Sequence, residues 1–164
     1  MALSPTAKKE FRTQLKRFCL VAQKYDHLWH YTQQRPYTGL GAPASDTHYN
    51  DCSSYVALCF YKAGRNSGHP ISDPLGYHYT GWGNTTSAHS YLQGHHAPED
   101  KYRVGDVAMY LERSFGHHHM SVCVIAGTSG TARFSSFGSE AGPEPTTLYY
   151  RSDLTAVYRH YALL

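Results

Sequence analysis

No apolar run in the chain approaches the ~20 residues that a bilayer-spanning helix requires, so no membrane span is expected. Charge is sparse too: Asp, Glu, Lys and Arg make up 16% of the 164 residues, and the net charge is +3. Nucleic-acid binding needs a concentrated basic face, and no basic cluster here is denser than Lys8-Lys9 or Lys16-Arg17. Nucleic acid is therefore not an expected partner, while a weak attraction to anionic polymers, cell wall included, stays open. The four cysteines lack CxxC spacing, and Cys19, Cys59 and Cys123 sit in apolar periodic segments. They are expected as free thiols of a reducing compartment rather than a disulfide framework. The twelve histidines come without HExxH or Cys/His finger spacing. Neighbours in a run such as His117-His118-His119 point to opposite sides of an extended chain, so no metal is expected. Met1 to Glu10 lacks the basic-then-apolar order of a signal peptide. The expectation is synthesis in a cytoplasm, with any export needing another route.

What is present belongs to a folded domain. Aromatic residues reach 14%, with 15 tyrosines, which is not the composition of a disordered chain. The length suits one domain, 1–164, and no repeat or linker divides it. From about Thr6 to Tyr31, Phe11, Leu15, Phe18, Cys19, Ala22 and Tyr25 recur at helical steps. A loop from Arg35 to Ser45, broken by Pro36, Gly39 and Gly41, delivers the chain to a second helix. That helix spans Asn50 to Gly64, with Asn50 or Asp51 as cap and Gly64 as stop. An irregular stretch to about Arg103 is expected to hold one short helix near Thr85–Leu92, opened by a Thr or Ser cap. Short strands follow near Gly105–Leu111, Met120–Ala126, Ala132–Phe137, Thr146–Tyr150 and Ala156–Leu163. Helices first and an antiparallel sheet after them predict an α+β domain, with the helices packed on the sheet.

Cys52 falls in the first turn of the second helix, where the positive end of the helix dipole favours thiolate over thiol. A nucleophilic thiolate needs a base, and His117-His118-His119 stands at the mouth of the Met120–Ala126 strand. By alternation His119 shares a face with Ser121 and Cys123, and His118 with Met120 and Val122. Alternation alone does not choose between the two imidazoles. The plain alternative for Cys52 is a buried structural cysteine, as expected for Cys19, Cys59 and Cys123. Tyr77, Tyr79, Trp82 and Tyr91 could line a groove for sugar or peptide, or simply pack.

Three blocks in order carry a resemblance. Asp51-Cys52-Ser53-Ser54-Tyr55-Val56 resembles the Asp-Cys-Ser-Gly signature of NlpC-type cysteine peptidases, the papain-like enzymes that cut bacterial peptidoglycan. Gly105-Asp106-Val107-Ala108-Met109-Tyr110 is similar to their Gly-Asp-Leu strand, and His119-Met120-Ser121-Val122-Cys123-Val124-Ile125 to the strand opened by their catalytic histidine. Residues 30–37 and 137–143 resemble peptidase domains of actinobacteriophage lysins.

The resemblance implies a papain-like fold with Cys52 as nucleophile and His119 as general base. It further implies Ser136 as the nearest match to the polar residue that orients the imidazole, and Tyr37 close to the oxyanion and substrate. Asp51 and Ser53 would contribute to the oxyanion and substrate site through the start of the helix. Ser54 stands where the family has glycine, and Ser136 where it often has a second histidine. The implied activity is hydrolysis of an amide bond in the peptidoglycan stem peptide, such as D-glutamyl–diaminopimelate, without metal or organic cofactor. The implied place of action is the bacterial cell wall, reached at lysis or in the virion. The rival is a virion or tail component that keeps the fold for wall binding or assembly with phage tail proteins.

Overall fold

The computed structural model describes residues 1–37, 46–111, 117–138 and 142–164. Residues 38–45 of the loop before the cysteine helix, and 139–141 of the stretch after Phe137, lie outside the described residues.

The first helix, α1, runs Pro5–Lys24. Ser4 caps it by accepting a hydrogen bond from the Ala7 amide (3.2 Å), and Pro5 fills the first position, where no amide is needed. Its buried face is Ala7, Phe11, Leu15, Phe18, Cys19 and Ala22. The helix stops at Lys24, well before the Tyr31 that periodicity suggested. After one 3-10 turn (Asp26–Leu28), Trp29–Tyr31 forms strand β1, paired in parallel with β2 (His48–Asn50). Trp29 stacks on His48 at 4.0 Å between ring centres, and this long-range pairing overrides the local helical pattern.

Helix α2, Cys52–Ser67, is the centre of the molecule: every residue from Cys52 to Phe60 is buried. It does not stop at Gly64, because Gly68 takes the left-handed cap (φ 73°). Gly64 lies inside the helix where a Cβ would come within 2.9 Å of Pro70 Cα, so close chain approach explains that glycine. Helix α1 packs along α2, with Phe11 edge-on to Phe60 (5.7 Å) and the Cys19 and Cys59 sulfurs 3.4 Å apart. The short helix α3, Thr85–Leu92, falls where expected, but its cap is Asn84, which accepts from the Ser87 amide and is reciprocated by the Ser87 hydroxyl.

Five strands complete the domain: β3 (Asp106–Tyr110), β4 (His119–Ile125), β5 (Arg133–Ser136), β6 (Glu144–Thr146) and β7 (Leu154–Arg159). Their order is β6-β5-β4-β3-β7, and every pairing is antiparallel. Val107, Met109, Met120, Val122 and Val124 join the helices in the main core. The opposite face, with Ala108, Tyr110, Cys123 and Phe134, closes over a smaller core with Tyr102 and Leu148. The chain is thus α+β, with three α-helices and one five-stranded antiparallel sheet among the described residues. Among those residues no helix is long and apolar enough to cross a membrane.

Candidate active site

Asp51 caps α2, and its carboxylate is held on several sides. It accepts from the Ser54 amide and the Ser53 hydroxyl, both at 2.9 Å, and pairs with Arg35 Nη2 at 2.7 Å. The Ser54 hydroxyl in turn accepts from the Asp51 amide at 2.9 Å, a reciprocal cap that fixes how the chain enters the helix. Ser54 is therefore a working part of this helix start. Arg35 also donates to the Ser53 hydroxyl (3.0 Å) and to the Gly83 carbonyl (2.8 Å), tying the segment before the helix to the loop before α3.

Cys52 follows as the first residue of α2, and it opens into a cleft of about 290 Å³. Tyr31, Gln33, Asn84, Thr86, His117 and His118 are among the cleft's walls. The sulfur lies 3.7 Å from the Thr85 hydroxyl, and backbone amides of Ser53 and Met120 are directed toward it. Those amides favour the thiolate, as the helix end does. Burial and the neighbouring Asp51 carboxylate outweigh them and push the thiol up to about 11. The expectation of a lowered thiol is thus corrected: the sulfur is only 5% exposed, and desolvation of an anion outweighs a helix dipole's ~1 kcal/mol.

His119 sits at the start of β4, 7% exposed, among the rings of Tyr110 and Tyr150. Its Nε2 is 2.7 Å from the Ser136 hydroxyl on β5, and that hydroxyl is 3.3 Å from the Tyr150 hydroxyl. Ser136 therefore engages one ring nitrogen and leaves Nδ1 as the other proton-accepting position. Burial, reinforced by the Arg151 guanidinium, lowers the imidazole to about 4. The pair at neutral pH is thus thiol and neutral imidazole. Among the hydrogen bonds of Cys52 and His119, none joins the two; the link between them is the Met120 amide, directly after His119. Catalytic hydrogen bonds are often long in unliganded sites and tighten when substrate binds.

The three adjacent histidines do not follow strict alternation, because the strand begins only at His119: His117 and His118 both line the cleft, and His119 is not among its walls. The His117 carbonyl accepts from Arg151 (3.0 Å), the His118 Nδ1 meets the Thr86 hydroxyl (3.3 Å), and His119 turns inward to Ser136. Among the described residues no cluster of three or more His, Cys, Asp or Glu side chains is arranged to hold a metal. Tyr37 is buried, its hydroxyl without a hydrogen-bond partner among the described residues, and it is not one of the described residues lining the Cys52 cleft. Tyr31 lines it instead.

Sequence reasoning did not find Thr85, Thr86, Asn84, Gln33, Arg35 or Tyr150 as parts of this site. The only signal for the α3 residues was a helix beginning near Thr85. Nothing local marks Arg35 as a partner of Asp51, sixteen residues on. Compared with protein-family models, with curated proteins and with solved structures, the chain finds no match.

Proposed function

We propose that the protein is a cysteine peptidase or amidase of the papain-like NlpC type, acting on bacterial peptidoglycan in the manner of a phage lysin. The observation that carries this reading is a thiol on the first turn of a buried helix, open to a cleft, beside a histidine strand whose ring is anchored by a polar residue on the next strand. The order of the three sequence blocks supports the family, since the strand pair β3–β4 joins the second and third of them directly.

In this mechanism the Cys52 proton passes to Nδ1 of His119 as the sulfur attacks the amide carbonyl of the stem peptide. The Cys52 amide, with the Ser53 amide that is directed toward the sulfur, would be the donors for the developing oxyanion, where losing one donor costs ~3–4 kcal/mol. His119 then protonates the departing amine as the C–N bond breaks and a thioester remains. A water, deprotonated by the same imidazole, hydrolyses the thioester and restores the thiol. Ser136 is a positioning residue that holds the ring, and Asp51 and Ser53 hold the helix entry. The bond most in keeping with the resemblance is D-glutamyl–diaminopimelate, with muramyl–alanine as a close variant.

A second reading has its own observation: thiol and imidazole are not hydrogen-bonded to each other, and both are held in their neutral forms. On that reading the chain is a wall-binding or tail component that keeps the fold without turnover. Digestion of purified peptidoglycan by wild type, Cys52→Ala, His118→Ala and His119→Ala separates the possibilities. The hydrolase reading expects peptide release from wild type and His118→Ala only. Equal release from all four, or none from wild type, ends it, and a dead His118→Ala beside an active His119→Ala moves the base to His118.

A further inference from the structure

Beside the Cys52 cleft lies a second groove, of about 390 Å³, whose walls include Tyr77, Trp82, Gln33, Arg35, Asp51 and Asn84. Gln33, Asp51 and Asn84 line both, so the two adjoin along these residues as neighbouring parts of one trough-like surface. Trp82 is 51% exposed and Tyr77 47%, large aromatic surfaces left facing water at its edge. Neither is on a loose turn. Trp82 stands between Gly81 (φ 87°) and Gly83 (φ 99°), both in the left-handed region that glycine favours. A Cβ on Gly81 would meet the Tyr37 carbonyl oxygen at 2.7 Å, and one on Gly83 would meet Leu75 Cβ at 2.9 Å.

The Gly81 carbonyl accepts from the Tyr37 amide and the Gly83 carbonyl from Arg35 Nε, both at 2.8 Å. The turn carrying Tyr77 is pinned by Asp73, whose two carboxylate oxygens each accept a backbone amide at 2.8 Å, from Leu75 and Tyr79. Through Arg35 and Asp51 the Trp82 turn is tied to the cap of α2, so the indole is set at a fixed place relative to Cys52.

We propose that this groove is a subsite for a sugar ring of the substrate, with Trp82 and Tyr77 as its stacking faces. The inference rests on the hydrolase reading for its consequence, not for its chemistry. A pyranose has a face of C–H bonds, which suits an aromatic platform, and a rim of hydroxyl and acetamido groups, which suits Gln33 and Asn84. An apolar side chain would want a closed dry pocket, whereas this trough is open and walled by amides and charged groups. A phosphate would want uncommitted cations, and the Arg35 guanidinium is already engaged by Asp51, Ser53 and Gly83. With the sugar there, the amide presented to Cys52 is one close to the glycan-bearing end of the stem peptide.

The test uses the Cys52→Ala protein, so that nothing is turned over, with a tetramer of N-acetylglucosamine and a free stem tetrapeptide as probes. Saturable change in tryptophan fluorescence is expected with the sugar, is lost in Cys52→Ala/Trp82→Ala, and is absent with the tetrapeptide. Trp29 is buried and serves as a constant background. Trp82→Phe should keep part of the affinity, and an unchanged thermal midpoint shows that the exposed substitution leaves the fold alone. No saturable change with the sugar, an affinity by calorimetry that Trp82→Ala leaves unaltered, or an equal response to the tetrapeptide overturns the subsite.

In the active protein, a stem peptide carrying its sugar should be cleaved with a KM about tenfold lower than the bare peptide, a ~1.4 kcal/mol preference that Trp82→Ala removes. Sugar binding without cleavage of either peptide refutes the hydrolase and leaves the subsite standing. Cleavage with no sugar preference and no fluorescence response does the reverse.

Discussion

If the resting pair is thiol and neutral imidazole, the reactivity of Cys52 must climb with pH. Burial and Asp51 put the thiol at about 11, and burial and Arg151 put His119 at about 4. Moving the proton from sulfur to imidazole across that gap costs about 10 kcal/mol before the new charges attract each other. Attraction between charges ~4 Å apart at an effective dielectric of ~20 returns only ~4 kcal/mol, so the neutral pair remains the ground state. The assay is the rate of Cys52 alkylation by iodoacetamide, followed by peptide mass. The thiolate fraction near pH 7 is then ~10⁻⁴, and the rate should rise about tenfold per pH unit until it levels near the thiol's own value. Cys19, Cys59 and Cys123 are fully buried and do not compete. A rate that stays flat from roughly pH 5 to pH 8 would be the signature of a preformed thiolate–imidazolium pair. That result would refute the balance drawn here between burial and the helix end.

Acid should destabilise the fold through two buried histidines. His119 and His160 are each lowered by burial to about 4, and a lowered histidine stabilises the fold above its unfolded value of ~6.5 and loses that contribution as pH falls toward its folded value. Each is worth up to about 3 kcal/mol, while Asp73, raised by burial, acts in the opposite direction. Urea unfolding should show the midpoint dropping between about pH 6.5 and pH 4.5, and equal midpoints would contradict the assignment. Ser136→Ala removes the partner of His119 Nε2 from a fully buried position. It should cost ~1–3 kcal/mol of stability and lower kcat by about 10²-fold with little change in KM, and an unchanged kcat would remove Ser136 from the positioning role.

Much of the scaffold was legible because its signals are local. The Asp51-Cys52 helix start, the apolar stripe of α1 and the strands about Val107, Val122 and Phe134 each follow from a cap or a period within a few residues. The failures are where distant chain decided. Trp29–Tyr31 read as helix and became a strand because it pairs with His48–Asn50. Gly64 read as a stop and proved to be the place where Pro70 closes on the helix. At the site, the first-turn thiol and the histidine strand were visible, whereas Ser136 pairs in register with Ser121 and reaches the His119 ring diagonally. Burial was not visible, and it reversed the direction of the thiol. The trough walls come from the segment before α2 and the loop before α3, brought together by Arg35, which no pattern in either segment announces.

Helix α2 carries Cys52 on its first turn and is buried at every residue from there to Phe60. Such an arrangement couples packing to the placement of the thiol: a methyl group lost from Val56 or Leu58 would shift Cys52 as well as loosen the interior. Variation that survives selection should therefore gather on the outward side of α1 and steer clear of the cysteine helix.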